Sequence, residues 1–157
     1  IRGKHWELKR GENMKLSTRA RYGLRALIDL GLYSETEAVS IQSIATRQNI
    51  SVSYLEQLMA LLKKAGLVKS IRGAGGGYRL GKPAQEISVG EILRILEGGL
   101  EAVKCPGNED ADFCVAKYVW KRINDSITDA VDHMTLGELL EESHRIQDKK
   151  KKQDAII

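Results

Sequence analysis

The chain has 157 residues, 42% of them apolar, and a formal net charge of +4. This length suits one ordinary domain, or one small domain with an appendage, and the apolar content excludes a disordered chain. No run approaches the roughly 20 apolar residues of a membrane span, and the first residues lack the apolar core of a signal peptide. With only two cysteines and no export signal, we expect a cytoplasmic protein that makes no membrane contact.

Charge is distributed unevenly along the chain. Residues 14–82 hold 11 Lys and Arg against 4 Asp and Glu, a balance of +7, whereas residues 83–157 hold 10 against 15, a balance of −5. A basic front half beside an acidic back half favours a nucleic-acid-binding module followed by an assembly or sensing module. Chance clustering of solvated charges is the alternative.

The first 13 residues form a leader that we predict is not part of the fold. MKLSTRARYGLRAL, from Met14 onward, has the character of a natural start, and KRGEN before it is encodable by a purine-rich run of the kind that precedes bacterial start codons. Mass spectrometry of the native protein tests this prediction.

Residues 17–64 predict three helices of which the last two form a helix-turn-helix. Ser17, Ser40 and either Ser51 or Ser53 stand at the predicted helix starts as N-caps. Asn49 ends the second helix, where a tight turn needs the left-handed conformation. The third helix turns Leu55, Leu58, Met59 and Leu62 inward and leaves its polar side chains partly or wholly outward: Ser53, Tyr54, Glu56, Gln57, Lys63 and Lys64. An ordinary helical hairpin fits the spacing about equally well.

The next segment, GLVKSIRGAGGGYRLG, favours DNA binding. It begins with a helix stop at Gly66 and predicts a two-stranded hairpin with a glycine-rich tip that carries Arg72. A hairpin directly after a helix-turn-helix is a wing, and an arginine at its tip can enter a narrow minor groove. Gly73 and Gly75 let the backbone approach phosphates closely. A nucleotide-phosphate loop fails on spacing, because Tyr78 interrupts G-x-G-x-x-G and no GK[ST] follows.

The back half predicts a dimerisation helix. Ser88 can cap a short helix that ends at Gly98–Gly99, and a longer helical pattern runs from about Phe113 to Met134. Its apolar side chains repeat with spacings of four and three residues: Ala116, Trp120, Ile123, Ile127, Ala130 and Met134. Such a seam outside a small DNA-binding domain favours pairing with a second copy over packing on its own domain. Thr135 begins another short helix, and the lysines at 149–152 predict a disordered tail.

The predicted fold is therefore mainly α with a small β-hairpin wing: a winged helix-turn-helix plus a long dimerisation helix. We divide the chain into a leader at 1–13, a DNA-binding module at 14–82, a sensing loop with dimerisation helices at 83–145 and a disordered basic tail at 146–157. The predicted function is a homodimeric regulator, of the repressor type, that binds a palindromic site on double-stranded DNA. A protein-interaction adaptor is the alternative. No nucleophile–base pair or cofactor loop has the context of an enzyme.

Four blocks in order, MKLSTRARYGLRAL, ISVSYLEQL, GLVKSIRGAGGGYRLG and ISVGEILRILEG, resemble the bacterial IscR/NsrR/CymR family of dimeric winged-helix transcription regulators. The resemblance covers about residues 14–140 and implies the same helix-turn-helix, wing and dimerisation helix. It also implies DNA contacts. The start of the recognition helix in the major groove corresponds to Ser53, Tyr54, Glu56 and Gln57, the minor-groove wing arginine to Arg72, and backbone contacts to Arg19 and Arg21.

The loop KCPGNEDADFCVAK at 104–117 holds the only two cysteines. In cluster-binding members of the family this loop carries three cysteines, with a histidine or an acidic residue as fourth ligand. Cys105 and Cys114 match the first and last, the middle one is absent, and Lys117 and Arg21 stand at the other ligand positions. Three hypotheses stay open: a labile 2Fe–2S cluster completed by acidic residues, a thiol redox switch, and an inert loop with regulation by a partner protein or small metabolite.

Overall fold

The computed structural model describes residues 16–101 and 115–156. These ranges contain six helices and one two-stranded sheet: α1 (Thr18–Tyr33), α2 (Ile41–Gln48), α3 (Val52–Lys64), β1 (Val68–Ile71), β2 (Gly77–Leu80), α4 (Val89–Glu97), α5 (Val115–Asp132) and α6 (Leu136–Asp154). A short 3-10 turn at Ala84–Glu86 precedes α4. The predicted fold class, mainly α with a small hairpin, is confirmed. The predicted leader and the cysteine loop, with Cys105 and Cys114, lie outside the described residues.

Five helices begin at a hydroxyl cap, four of them at residues that the sequence predicts as caps and the fifth at Thr135, which it predicts as the start of its helix. In each case a hydroxyl oxygen accepts a hydrogen bond from the backbone N–H three residues later, and the capping residues are Ser17, Ser40, Ser51, Ser88 and Thr135. An uncapped helix leaves its first N–H groups without partners, so these hydroxyls fix where each helix starts. For α3 the cap is the first of the two predicted serines.

One hydrophobic core joins the front and back halves of the chain. Leu27 and Leu30 of α1 pack with Leu58 of α3, and Ile92 and Leu96 of α4 lie in the same fully buried cluster. The core therefore crosses the boundary predicted at residue 82, and α4 belongs physically with the helix-turn-helix. The close packing also explains Gly23, where an added β-carbon would collide with the Leu96 side chain.

The wing is an antiparallel hairpin that a third segment anchors. Val68 pairs with Leu80 and Ile71 with Gly77. Val39, just before α2, forms a further bridge with Tyr78, in which each backbone N–H donates to the other residue's carbonyl over 2.8–2.9 Å. The hairpin is consequently attached at its base both to the sequence that follows α3 and to the segment that begins the helix-turn-helix.

The α6 helix corrects the prediction of a disordered tail at 146–157. It runs without interruption from Leu136 to Asp154, far beyond the short helix that the sequence indicated. Its first turns pack on α1 and on the 3-10 turn, and this packing stabilises the start of the helix, from which the later turns continue. Glu138 near its start and Lys151 near its end complement the helix dipole, so the exposed half continues as helix rather than as coil.

The α5 helix packs on α4 but buries none of its side chains completely. It ends at Asp132, so Met134, which we assigned to its apolar seam, lies in the turn before α6. The Met134 carbonyl there accepts a 2.7 Å hydrogen bond from the Val89 N–H and ties this turn to the start of α4. Among the helices of the described ranges, none is long and apolar enough to cross a membrane.

Candidate DNA interface

The turn between α2 and α3 has the geometry that the sequence predicts. Asn49 adopts the left-handed conformation, with φ 54° and ψ 52°, and its N–H donates back to carbonyls of α2. Two residues later the Ser51 hydroxyl accepts a 3.1 Å hydrogen bond from the Tyr54 N–H and starts α3. A left-handed residue followed at once by an N-cap reverses the chain within four residues, which is the connection that a helix-turn-helix requires.

The beginning of α3 presents a polar face to solvent. Ser53, Glu56 and Gln57 are exposed, whereas Leu55 and Leu58 on the opposite side are fully buried. The three exposed side chains can hydrogen-bond to base edges, and their helix is held rigidly by its buried face. The prediction that these residues share an outward surface agrees with the helix as observed.

Tyr54 differs from its neighbours because it also joins α3 to α1. It is half-buried, and its ring meets the Tyr22 ring edge-on, with 6.2 Å between centroids and an interplanar angle of 89°. The Arg25 guanidinium lies 5.2 Å from the centroid of Tyr22 and donates to the Gln48 side chain and carbonyl over 3.1 and 3.2 Å. These contacts place the N-terminal half of α1 directly beside the helix-turn-helix.

A buried carboxylate fixes α2 against α1. Asp29 is 2% exposed and accepts three hydrogen bonds: two from the Arg47 guanidinium, at 2.9 and 2.7 Å, and one from the Gln48 amide, at 2.9 Å. The bond to Asp29 raises the pKa of Arg47, and partial burial opposes this. The same guanidinium stacks 4.1 Å from the Tyr33 ring centroid. Sequence reasoning missed this network, although a lone aspartate on the apolar face of α1 was a visible signal.

The wing carries Arg72 at an exposed position directly after β1. Its tip uses positive φ angles at Gly73 (100°) and Gly75 (74°), and the Gly76 N–H closes the turn by donating to the Gly73 carbonyl over 3.0 Å. Residues with side chains rarely adopt such angles, so the glycines are required by the turn itself. Open space surrounds both of these glycines, which leaves their backbone accessible to a ligand.

Two contacts orient the wing relative to the helices. The Lys63 ammonium at the end of α3 donates to the Ser70 hydroxyl on β1 over 2.8 Å. On β2, the Arg79 guanidinium donates to the carbonyls of Ser34 and Glu35 after α1, at 3.2 and 2.9 Å. The α3 helix and the wing are therefore parts of one connected surface, since both are tied to the same core.

Arg19 and Arg21 lie in the first two turns of α1 and are exposed. The start of this helix is held by its Ser17 cap, whose N–H donates to the Glu97 carboxylate of α4. Tyr22, which follows Arg21 directly and Arg19 by three residues, contacts Tyr54 near the start of α3. The two arginines are positioned to extend the positive charge of the candidate interface, and Arg72 supplies charge from the wing.

The apolar stripe predicted on α5 is present and is only partly covered within the described part of the chain. Ala116, Trp120, Ile123 and Ile127 are partly exposed, and Ala130 is exposed. Next to them Val119 is 46% exposed. An 18-residue helix that leaves all its apolar side chains in contact with water is unusual for a stable monomer. This stripe defines a surface that another apolar surface can bury.

The cysteine loop connects α4 to α5, between Glu101 and Val115 at the edges of the described ranges. Where α4 meets the end of α5, the Arg94 guanidinium holds the Asp132 carboxylate with two hydrogen bonds, at 2.6 and 2.9 Å, which lower the pKa of Asp132 and raise that of Arg94. Within residues 16–101 and 115–156, no three His, Cys, Asp or Glu side chains converge to hold a metal. Cys105 and Cys114 provide two thiolates, and an iron–sulfur cluster takes four ligands.

Comparisons with known proteins identify the relatives of this chain. Residues 16–142 match the Rrf2 family, described as an iron-dependent transcriptional regulator. The HTH-type transcriptional regulator IscR of Vibrio vulnificus is 42% identical over 137 residues, which cover 85% of this chain and 82% of the relative. IscR of an Enterobacter species is 40% identical over 157 residues, covering 91% of this chain and 96% of the relative.

Solved structures agree with these sequence matches. IscR of T. potens is 44% identical, with a TM-score of 0.72, over 85% of this chain and 90% of the other. CymR, the global cysteine regulator of B. subtilis, is 42% identical with a TM-score of 0.72, over 82% and 97%. CymR of Staphylococcus aureus in an oxidized form is 42% identical with a TM-score of 0.67, over 81% and 96%.

Proposed function

Because the chain belongs to the Rrf2 family of transcriptional regulators, we propose that it works as a homodimer that represses transcription by occupying a palindromic DNA site. Family membership confirms the resemblance predicted from the four sequence blocks. It makes the chain a DNA-binding transcription regulator with a winged helix, and not an enzyme.

The proposal rests on one observation above all: the exposed start of α3 and the exposed Arg72 of the wing are tied to the same core. Ser53, Glu56 and Gln57 give α3 hydrogen-bonding groups of the length that reaches base edges in a major groove. Lys63, bonded to Ser70, keeps the wing beside that helix. A rigid surface with a polar helix and a cationic hairpin matches two adjacent grooves of one duplex.

Each side chain has a chemical role in this scheme. Gln57 can pair with both hydrogen-bonding groups of an adenine edge, and Glu56 can accept from a cytosine amine or repel a phosphate. Arg72 enters the minor groove, where the negative potential of narrow A·T-rich tracts is strongest. Arg19 and Arg21 contact phosphates, which adds affinity without sequence preference. Tyr54 contributes its hydroxyl while its ring stays packed on α1.

A second copy of the chain is the proposed cover for the apolar stripe of α5. The stripe that includes Trp120, Ile123 and Ile127 follows a heptad spacing, which is the pattern of a helix that pairs with a similar helix. A two-fold dimer presents two α3 helices to two half-sites about one helical turn apart, which is why a palindrome is expected. Repression follows where such a site overlaps a promoter.

The loop with Cys105 and Cys114 is the proposed place of regulation. The relatives include IscR and the oxidized form of a CymR, so a 2Fe–2S cluster and a thiol switch are the two chemical candidates. Eight residues separate the two cysteines, which is long enough for a disulfide to close. Cys105 and Cys114 supply two of the four ligands that such a cluster needs, and the DNA contacts proposed above involve neither cysteine. Anaerobic purification followed by iron analysis, visible absorbance and a thiol count separates the two candidates from an inert loop.

DNA binding is tested with a duplex selected from a random pool by the wild-type protein. Arg72→Ala should weaken affinity for this duplex by about 1–3 kcal/mol. It should also lower the slope of log affinity against log salt by about the amount that one phosphate contact contributes. Arg145→Ala on α6, which removes the same charge from an exposed ion pair with Glu142, is the matched control. Equal affinity of the Arg72 variant and the wild type would refute the role of the wing.

Dimerisation is tested by sedimentation. The wild type should sediment at twice the 17.5 kDa chain mass, and Ile123→Glu should shift it toward the monomer, because a carboxylate cannot be buried unpaired in an apolar seam. Lys121→Glu, on the exposed side of the same helix, should leave the dimer intact. A monomeric wild type at micromolar concentration would refute the proposed assembly.

A further inference from the structure

The C-terminal end of α6 carries a basic cluster, Lys149–Lys152. All four lysines are exposed and lie on ordered helix, since α6 continues to Asp154. Among the described residues, none of them forms an ion pair, whereas Arg145, one turn earlier, pairs with Glu142. Four positive charges within about one helical turn repel each other, and the flanking Asp148 and Asp154 offset only two of them, so this cluster favours an anionic partner.

The packing of α6 on α1 determines where this cluster lies. Leu140 covers Gly31 so closely that a β-carbon there would lie 2.9 Å from its terminal methyl groups. Further along α6, Ser143 and Gln147 line a groove of about 430 Å³ together with residues of α1 that include Arg25 and Ile28. The groove extends from Tyr33 back to Arg25 on α1, and these contacts indicate that α6 continues past Gly31 toward the beginning of α1.

The same packing direction of α6 on α1 leads from Gln147 toward the helix-turn-helix. Positions 150 and 151 lie three and four residues after Gln147, on the helix face that already covers α1. The next turn of α1 toward its N-terminus holds Arg21 and Tyr22, and Tyr22 contacts Tyr54 of α3. Continued over one more turn, this packing direction brings Lys150 and Lys151 toward the α1 turn that carries Arg21, at the edge of the candidate DNA interface.

We propose that Lys150 and Lys151 contact phosphates of the DNA that flanks the bases read by α3. This inference rests on the proposed function and extends the interface from two elements, the recognition helix and the wing, to a third. The contacts carry no base information, because an ammonium is a point charge without the planar fork of arginine. They lengthen the electrostatic footprint of each subunit beyond its half-site.

A second explanation of the lysines has to be separated from this one. Cations at the end of a helix stabilise it through the helix dipole, and that effect does not depend on which face they occupy. The lysine run itself supplies the control. By helical periodicity Lys150 and Lys151 share the side of α6 that carries Leu140 and Gln147. Lys149 and Lys152 fall on the other side, with the same total charge and the same mean distance from the helix end.

The experiment compares Lys150→Gln/Lys151→Gln with Lys149→Gln/Lys152→Gln in the full chain. Glutamine keeps a helix propensity close to that of lysine, and circular dichroism checks that both variants keep their helix. The probe is a random-sequence duplex of about 40 base pairs, with affinity measured by fluorescence anisotropy between about 50 and 200 mM salt. The first variant should lower the slope of log affinity against log salt by about 0.9 for each lysine–phosphate interaction that it removes, and each removal should weaken binding roughly 5- to 10-fold at about 0.1 M salt. The second should change the slope much less.

Two results would overturn the proposal. Equal slopes for the two double variants would mean that the lysines act only as general charge, and a wild-type slope in the Lys150/Lys151 variant would mean that they do not contact DNA. Arg72→Ala in the same titration distinguishes this failure from a failure of the proposed function. If the wing variant weakens binding while both lysine variants do not, the DNA interface stands and only the extension to α6 is wrong.

Discussion

Asp29→Asn should loosen the attachment of α2 to α1. The wild-type carboxylate is buried and accepts two hydrogen bonds from Arg47 and one from Gln48. In the variant an amide N–H₂ replaces one acceptor oxygen and faces the donors of Arg47. Hydrogen bonds that involve a charged group contribute about 1.5–3 kcal/mol, and the Arg47 side chain, 32% exposed, regains some hydration when the pair is broken. We therefore expect a loss of about 2 kcal/mol in the free energy of unfolding.

The assay is urea unfolding at one fixed protein concentration, since a dimer makes apparent stability depend on concentration. A loss of about 2 kcal/mol corresponds to a fall of roughly 4–8 °C in Tm for a chain of this size. Asp125→Asn is the matched control, because Asp125 pairs with Lys121 on the exposed side of α5 and its replacement should leave unfolding unchanged. A double-mutant cycle with Arg47→Gln should give a coupling free energy above about 1 kcal/mol.

The reasoning is refuted if Asp29→Asn unfolds at the same urea concentration as Asp125→Asn. A second readout follows from the position of Asp29 beneath the helix-turn-helix. Because α2 sets the orientation of α3, the Asp29 variant should also bind the selected duplex more weakly while its dimer stays intact. Lower stability with unchanged DNA affinity would limit Asp29 to a purely stabilising role.

Three further predictions concern local structure. Gly77→Ala should lower Tm, because a β-carbon at φ 154° would collide with a backbone carbonyl before α2, whereas Gly99→Ala, in open space, should leave Tm unchanged. Ser51→Ala removes the cap of α3 and should cost about 1 kcal/mol in urea unfolding; an unchanged midpoint would contradict the assigned cap. The Asp129 carbonyl and then its carboxylate raise the pKa of His133, so an NMR titration should place that pKa above the ordinary value near 6.5. The stabilisation of the fold that protonated His133 provides is present below the unfolded-state pKa and is lost as pH rises through the folded-state pKa. Asp129→Asn should lower the pKa of His133.

The helix boundaries at capped starts were predictable from the sequence. A serine or threonine cap accepts a hydrogen bond from an N–H only three residues away, so its effect depends on neighbouring residues alone. The same holds for Asn49 and Gly98, which adopt left-handed conformations where α2 and α4 end. The polar face of α3 was equally visible, because the buried leucines of a helix fix which positions face outward.

Other features required the fold. Asp29 and Arg47 are 18 residues apart, and no spacing rule connects an aspartate on one helix with an arginine on the next. Val39 forms its bridge with Tyr78 far along the chain, so the third segment of the wing had no local signal. The leader and the cysteine loop lie outside the described residues, and the roles assigned to Cys105 and Cys114 stay predictions.

Caps, glycine turns and apolar spacing act over a few residues, so they could be read before folding and predict which segments become helices, where the hairpin turns and which family the chain resembles. Long-range packing accounts for the rest: α4 shares the core of the helix-turn-helix, a buried aspartate attaches α2 to α1, and α6 remains a helix as far as Asp154. Composition indicated a solvated tail in that last case, because lysine-rich segments bury little apolar surface. Leu136 and Leu140 pack against the core at one end of α6 and stabilise the first helical turns, and the lysine-rich end continues from them.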